Sequence, residues 1–208
     1  MIQTLLAELE ARKNGTLIGL NGGIACGKST VSKMFSDYGY HVIDFDSVTR
    51  KVRATPEISE KIRARFNTEV PDDLRKIIFA DKQAEKDLAE LVGTPTITDV
   101  LKETLAVFSS SEKRVVVWDS ALLTRYELDQ FVDLGLYISA EPEAQRHRLL
   151  LRDKITPELA DQMIKNQQDW LSEIPHWWRR IDNSKDLSSL KSYIESVIVP
   201  FIQNLEKK

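Results

Sequence analysis

Cysteine occurs once in the 208 residues, at Cys26, so no internal disulfide framework is possible. That usage suits a reducing cytoplasm, which is the expected location. No apolar run reaches the length of a membrane-spanning helix, so no membrane partner is expected. Residues Met1 to Lys13 lack a basic start, a long apolar stretch and a small-residue cleavage site, and therefore do not read as a secretory signal. A basic excess is missing too: 29 Lys and Arg stand against 32 Asp and Glu, for a formal charge of −3. Such a balance gives no field for wrapping nucleic acid. Internal repeats and low-complexity stretches are also absent. What remains is 42% hydrophobic and 29% charged, a globular balance that predicts a single domain over residues 1–208 with an ample core.

The most informative stretch runs from Gly22 to Ser29, Gly-Gly-Ile-Ala-Cys-Gly-Lys-Ser, a full G-x-x-x-x-G-K-[ST] phosphate-binding loop. Its glycines let the backbone curl so that successive N–H groups face phosphate oxygens. Gly22, Gly23, Ile24, Ala25, Cys26, Gly27, Lys28, Ser29 and Thr30 are thus the candidate ATP-binding residues. Lys28 is expected at the β- and γ-phosphates, and the Ser29 hydroxyl on Mg²⁺. Leu17 to Leu20 reads as a buried strand before the loop. Val31, Met34, Phe35 and Tyr38 form a helical stripe after it, ended by Gly39. The phosphates would then lie on a helix N-terminus, where anions are favoured.

Four further runs read as strands: His41–Asp44, Arg114–Asp119, Leu134–Ile138 and a short one around Ile181. Short continuous apolar runs of this kind suit a parallel sheet covered on both faces. Ile2, Leu5, Leu6 and Leu9 predict a helical extension over residues 1–13. Residues 55–110 read as an inserted helical lobe. Its stripes are Ile58, Ile62 and Phe66; Leu74, Ile77 and Ile78; and Ile97, Val100, Leu101 and Leu105. Thr55-Pro56 and Thr94-Pro95 each predict a helix start, a cap followed by proline at the first helical position.

Three features separate a kinase from other triphosphate binders. Asp44 and Asp46 lie at the carboxyl end of the second strand, the edge where open parallel sheets bind ligands. One of them is a candidate base for an acceptor hydroxyl, while the other caps the next helix. Asp119 closes the third strand as a candidate Mg²⁺-holding acid. Arg146, Arg148 and Arg152 fall on one helix of a lid region spanning 146–172. Arg148 and Arg152 share a face for neutralising phosphoryl charge, and Arg146 reads as surface. An Asn-Lys-x-Asp guanine motif is missing, which argues against a GTP switch.

These segments, in order from about Thr16 to Asn183, resemble the dephospho-coenzyme A kinase family, whose members catalyse the last step of coenzyme A synthesis. The loop segment, Val42-Ile43-Asp44-Phe45-Asp46 with Arg50, Leu74 to Ala80, Val116 to Leu123, Arg148 to Asp153, Gln167 and Ile181-Asp182-Asn183 carry the resemblance. It implies an α/β P-loop kinase with a mostly parallel five-stranded sheet, flanking helices, a helical acceptor lobe and a short lid. It also implies ATP and Mg²⁺, and picks Asp46 over Asp44 as the base. Arg50 and Arg75 are implied at the acceptor, and Asn183 at the nucleotide. The chain departs from the family pattern at Asn21, Val70-Pro71, Thr94, Ala121, Thr124-Arg125 and Trp177-Trp178. Two other readings stay open at this level: a nucleotide kinase such as a deoxynucleoside monophosphate kinase, and an ATP-binding protein whose acceptor site has decayed. Trp170, Trp177 and Trp178 read as core or interface residues, and the oligomeric state is left open.

Overall fold

The computed structural model describes residues 1–12, 14–110, 115–171 and 174–207, and for 79 and 167–171 the backbone alone. These residues gather into two compact units, one of 1–12 with 44–106 and one of 13–43 with 107–208.

The larger unit carries the sheet. Strands β1 (Thr16–Gly22), β2 (His41–Asp44), β3 (Val115–Asp119), β4 (Leu134–Ser139) and β5 (Arg179–Asp182) lie in the order β2-β3-β1-β4-β5. The pairings of β1 with β3 and β4, and of β4 with β5, are parallel, with Ile18 opposite both Val117 and Leu134. Every residue of β1 and β3 is buried, as their unbroken apolar runs require. On one face Ile18, Leu20, Val117, Leu136, Ile138 and Ile181 meet Val31 and Phe35 of helix α2 (Lys28–Asp37). Leu190, Ile194, Ile198 and Ile202, from the chain's last helical turns, complete that layer. Gly39 sits just past α2 at φ +86°, its N–H donating to the Ser36 carbonyl. Tyr38 leaves the predicted stripe: it is exposed, because α2 ends at Asp37 and the chain turns before another core position comes round.

On the other face Trp178 lies on paired glycines. Gly19 and Gly135 are register partners on β1 and β4, and a β-carbon on Gly135 would collide with the indole. Trp178 is buried there, whereas Trp177 beside it is 47% exposed. The core reading therefore holds for one of the two.

The smaller unit is helical: α1 (Ile2–Glu10), α3 (Phe45–Arg53), α4 (Pro56–Phe66), α5 (Pro71–Ala80) and most of α6 (Lys82–Ser110). Ile58, Ile62, Phe66 and Leu74 are buried as expected, and Leu9 is the buried residue of α1. Pro56 opens α4, but Thr55 makes no side-chain cap; its hydroxyl donates to the Val52 carbonyl at 2.7 Å instead. The Thr94-Pro95 helix start is overturned, because α6 runs through Pro95 without a break. Burial on both sides of the proline, at Leu88 and at Val100 and Leu101, outweighs the backbone bond it forfeits. The buried face of α6 also takes Thr96, Thr98 and Thr104, which periodicity of apolar residues could not show. Thr98 and Thr104 satisfy their hydroxyls by donating to the carbonyls four residues back, Thr94 and Val100, each at 2.8 Å. Among the described residues no helix is long and apolar enough to cross a membrane.

Candidate active site

The phosphate loop is held from outside by side chains. Three consecutive carbonyls, those of Ile24, Ala25 and Cys26, each accept a hydrogen bond from beyond the loop. Gln145 Nε2 donates to Ile24 at 2.8 Å, Arg148 Nη1 to Ala25 at 3.3 Å and Asn183 Nδ2 to Cys26 at 2.8 Å. A trans peptide sets its N–H opposite its C=O, so the amides of Ala25, Cys26 and Gly27 turn to the other side. That of Cys26 closes on the Gly23 carbonyl at 3.2 Å. Gly27, at φ +92°, precedes the first turn of α2, whose Lys28 and Ser29 amides have no helical acceptor. A β-carbon at Gly27 would strike Asn183 Nδ2, so glycine is required there on two counts. Asn21, where the family pattern has threonine, accepts the Gly22 N–H at 2.6 Å and donates to the Ala121 carbonyl at 3.3 Å. It ties the end of β1 to the turn after β3.

Lys28 Nζ donates to the Asp119 carboxylate, a contact with both partners largely buried. The Ser29 hydroxyl is exposed and has no partner among the described residues. A hydroxyl and a carboxylate are hard oxygen donors that fit Mg²⁺. No group of three or more His, Cys, Asp or Glu side chains placed to hold a metal occurs among the described residues. Cys26 is 2% exposed, and burial raises its thiol pKa, so it stays protonated and packs as an apolar residue.

The lid arginines divide. Helix α7 (Pro142–Asp153) carries all three, and α8 (Pro157–Leu171) follows after Lys154, which adopts a left-handed turn at φ +52°. Arg146 pairs with Asp161 of α8 at 2.8 Å on the surface, as expected. Arg148 is fixed: besides the loop carbonyl it donates to the Asn183 carbonyl at 2.6 Å. Arg152 is exposed, and among the described residues it pairs with its neighbour Asp153, at 2.7 and 2.8 Å. Leu149, Ala160 and Ile164 of the two helices pack with Ile24 and Ala25 of the loop. Asn183, expected at the nucleotide, is 7% exposed and buttresses the loop.

In the smaller unit, Asp44 caps α3 by accepting the Asp46 N–H at 3.0 Å and pairs loosely with Arg50 at 3.9 Å. The Asp46 carboxylate is exposed and has no partner among the described residues. It lines a cavity of about 720 Å³ with Thr49, Arg50 and Arg53 of α3, Ser59 and Ile62 of α4, Glu69, and Arg75 of α5. Thr49 is braced by the Thr96 hydroxyl of α6 at 3.3 Å. Glu69 is already engaged by Ser59 and Arg63, which hold its pKa below the usual carboxylate range. Arg75 faces Asp72 at 3.6 Å on the surface, whereas half-buried Arg53 has no carboxylate partner among the described residues.

The dephospho-CoA kinase family model matches residues 16–189. The chain belongs to the dephospho-CoA kinase family. It is 30% identical to the dephospho-CoA kinase of Fusobacterium nucleatum subsp. nucleatum over 187 residues, covering 86% of this chain and 95% of that one. It is 31% identical to that of Listeria monocytogenes serotype 4b over 200 residues, covering 91% and 99%. The solved dephospho-CoA kinase from Campylobacter jejuni shares the fold, with a TM-score of 0.61 at 20% identity over 93% of this chain and 98% of that one.

Residues where this family member departs from the pattern are accommodated locally. Asn21 is structural, Trp178 fills the glycine platform, and Thr94 is an exposed helix residue whose carbonyl Thr98 uses. Arg125 is exposed in the turn that follows β3. The side chains of Gln167 and Trp170 lie outside the described residues. Sequence reasoning missed Gln145 and Arg53. The first is a polar residue at a buried helix position of α7; the second lies one turn after Arg50 on the same helix, a spacing that puts both on one face.

Proposed function

We propose that this chain transfers the γ-phosphoryl group of ATP to the ribose 3′-hydroxyl of dephospho-coenzyme A, giving coenzyme A and ADP. The observation that carries the reading is the span of the family match, which takes in the phosphate loop, Asp119, the lid arginines and the pocket containing Asp46. The amides of Ala25, Gly27, Lys28 and Ser29 hold the β- and γ-phosphates, with Lys28 leaving Asp119 to reach them. Ser29 and Asp119 are the residues that would hold Mg²⁺, which would neutralise phosphate oxygens when bound. Asp46 accepts the hydroxyl proton as the 3′-oxygen bonds the γ-phosphorus, and the bond from that phosphorus to the β,γ-bridging oxygen breaks. Arg152, paired with its neighbour Asp153, swings to the transferring group, while Arg148 stays fixed to the loop. Arg50 and Arg75 take the acceptor's charged diphosphate. The cytoplasm is the matching compartment for a chain with one protonated cysteine.

The test is ATP-to-ADP turnover with dephospho-coenzyme A, with each deoxynucleoside monophosphate and with no acceptor. Turnover dependent on dephospho-coenzyme A is expected. Turnover with a monophosphate alone keeps the ATP site and overturns the acceptor, and ATP binding without stimulated turnover overturns the enzyme reading.

A further inference from the structure

We propose that Gln145 is a positioning residue for the phosphate loop, acting through the Ile24 carbonyl and completing an outer clamp with Arg148 and Asn183. The proposal rests on the reading that this loop binds the phosphates of ATP. Gln145 is 8% exposed, and its amide nitrogen donates to the Ile24 carbonyl at 2.8 Å and to Cys26 Sγ at 3.2 Å. Those bonds flank Ala25, a residue with a β-carbon at φ +53°, in the left-handed region that such residues avoid. Strain of this kind persists only where the surroundings over-determine it. Here the surroundings are specific: Gln145 fixes the peptide before Ala25, and Arg148 fixes the one after it. With Gln145 gone, the Ile24–Ala25 peptide loses a hydrogen bond that opposes its turning over, the movement that would relieve the strain. Its N–H would then leave the face on which phosphate binds, and an anion site made of backbone amides would lose a donor.

Two of the three clamping residues stand on α7, one turn apart, and Leu149 of the same helix packs with Ile24 and Ala25. The helix that carries Arg152 is thereby fastened to the loop. Loop geometry and the base of the lid are one mechanical element, whereas Arg152 at the end of α7 pairs with Asp153 and not with the loop.

The experiment measures the affinity for Mg²⁺–ATP by calorimetry on the full chain without acceptor, so that an error in the acceptor's identity leaves the readout intact. Gln145→Met keeps the side chain's length and apolar packing while removing the donor. ATP binding is expected to weaken about tenfold, with Tm within a few degrees of the native value and the KM for dephospho-coenzyme A within twofold. Arg146→Gln on the same helix breaks only the surface pair with Asp161 and is expected to leave ATP affinity unchanged. Gln145→Asn, which keeps the amide one methylene short of Ile24, replaces the methionine variant should that fail to fold, with the same expected loss. ATP affinity within twofold of native overturns the proposal. An equal loss in Arg146→Gln, or a loss that tracks a fall in Tm, reduces Gln145 to a packing residue and overturns it as well. A native chain that binds no ATP removes the functional reading, and the positioning role falls with it.

Discussion

In the phosphate loop three carbonyls are bonded to Gln145, Arg148 and Asn183, and the lysine is bonded to a buried aspartate. Around Asp46, by contrast, Arg50 and Arg75 are exposed and loosely paired at 3.9 and 3.6 Å with exposed carboxylates. The first region is set before any ligand arrives. The second consists of solvent-screened pairs worth little to stability, which an incoming anion can exchange at small cost. The contrast fits what each must bind. Triphosphate recognition by backbone amides needs one fixed geometry, whereas a large acceptor is met by long side chains that settle around it. Within a protein family, the first arrangement constrains residues tightly and the second permits substitution.

The sharpest way to break this contrast is to remove the proposed base in the open pocket. Asp46→Asn is expected to lower kcat by about 10²- to 10⁴-fold, the usual contribution of a general base. ATP affinity should stay within twofold in the same preparation, and equal loss of both would show that the pocket and the loop are not separable. Next in size is Gly27→Ala. Strain at a left-handed residue costs about 1–3 kcal/mol, and the new methyl group also meets Asn183. Calorimetry should show ATP binding weakened about ten- to a hundredfold, and native affinity would show the loop to be less rigid than its bonds imply. Arg53→Ala tests the soft region directly. The loss of a charged donor, about 1.5 kcal/mol or more, should raise the KM for dephospho-coenzyme A about tenfold and leave that for ATP unchanged. An unchanged acceptor KM would confine recognition to Arg50 and Arg75.

The smallest effect is one of pH. Burial pushes the Tyr137 phenol up to about 12, against the opposing pull of the Arg180 guanidinium beside its ring. A raised tyrosine pKa means that the folded state holds its proton longer than the unfolded chain, whose phenols ionise near 10. The contribution is fully present below pH 10 and is lost as pH rises from 10 to about 12. Tyr40, also near 12, acts in the same sense. Tm measured from pH 8 to 12 should therefore fall less steeply in Tyr137→Phe than in the native chain. Identical slopes would remove Tyr137 from the alkaline transition.

How much of this was legible beforehand differed between the two regions. The loop, its strand and its helix are contiguous, so Gly22 to Ser29 could be read directly; β1, β3 and β4 fell on apolar runs, and β5, Arg-Arg-Ile-Asp, fell around Ile181. Asp46 needed the family pattern to separate it from Asp44, and the structure shows which of the two caps α3: Asp44 accepts the Asp46 N–H. Arg148 and Arg152 look alike in sequence, four residues apart on one helix. Only their surroundings part them, one bonded to two carbonyls and the other to its neighbour. Pro95 misled because a proline signal is local, whereas the burial that carries α6 through it is not.

The sequence by itself determined the elements, the phosphate chemistry and the family, because these depend on residues near one another in the chain or on patterns of period two and 3.6. Tertiary structure decided which polar residues serve the loop from behind, that Trp178 covers two glycines on neighbouring strands, and that Arg53 lines the cavity beside Asp46. Gln145 stands 121 residues from the carbonyl it holds, and Asn183 stands 157 from its own. Hydrogen bonds of that span leave no local pattern in a sequence, since their partners meet only when the sheet order β2-β3-β1-β4-β5 has brought α7 and the residue after β5 to the loop that follows β1.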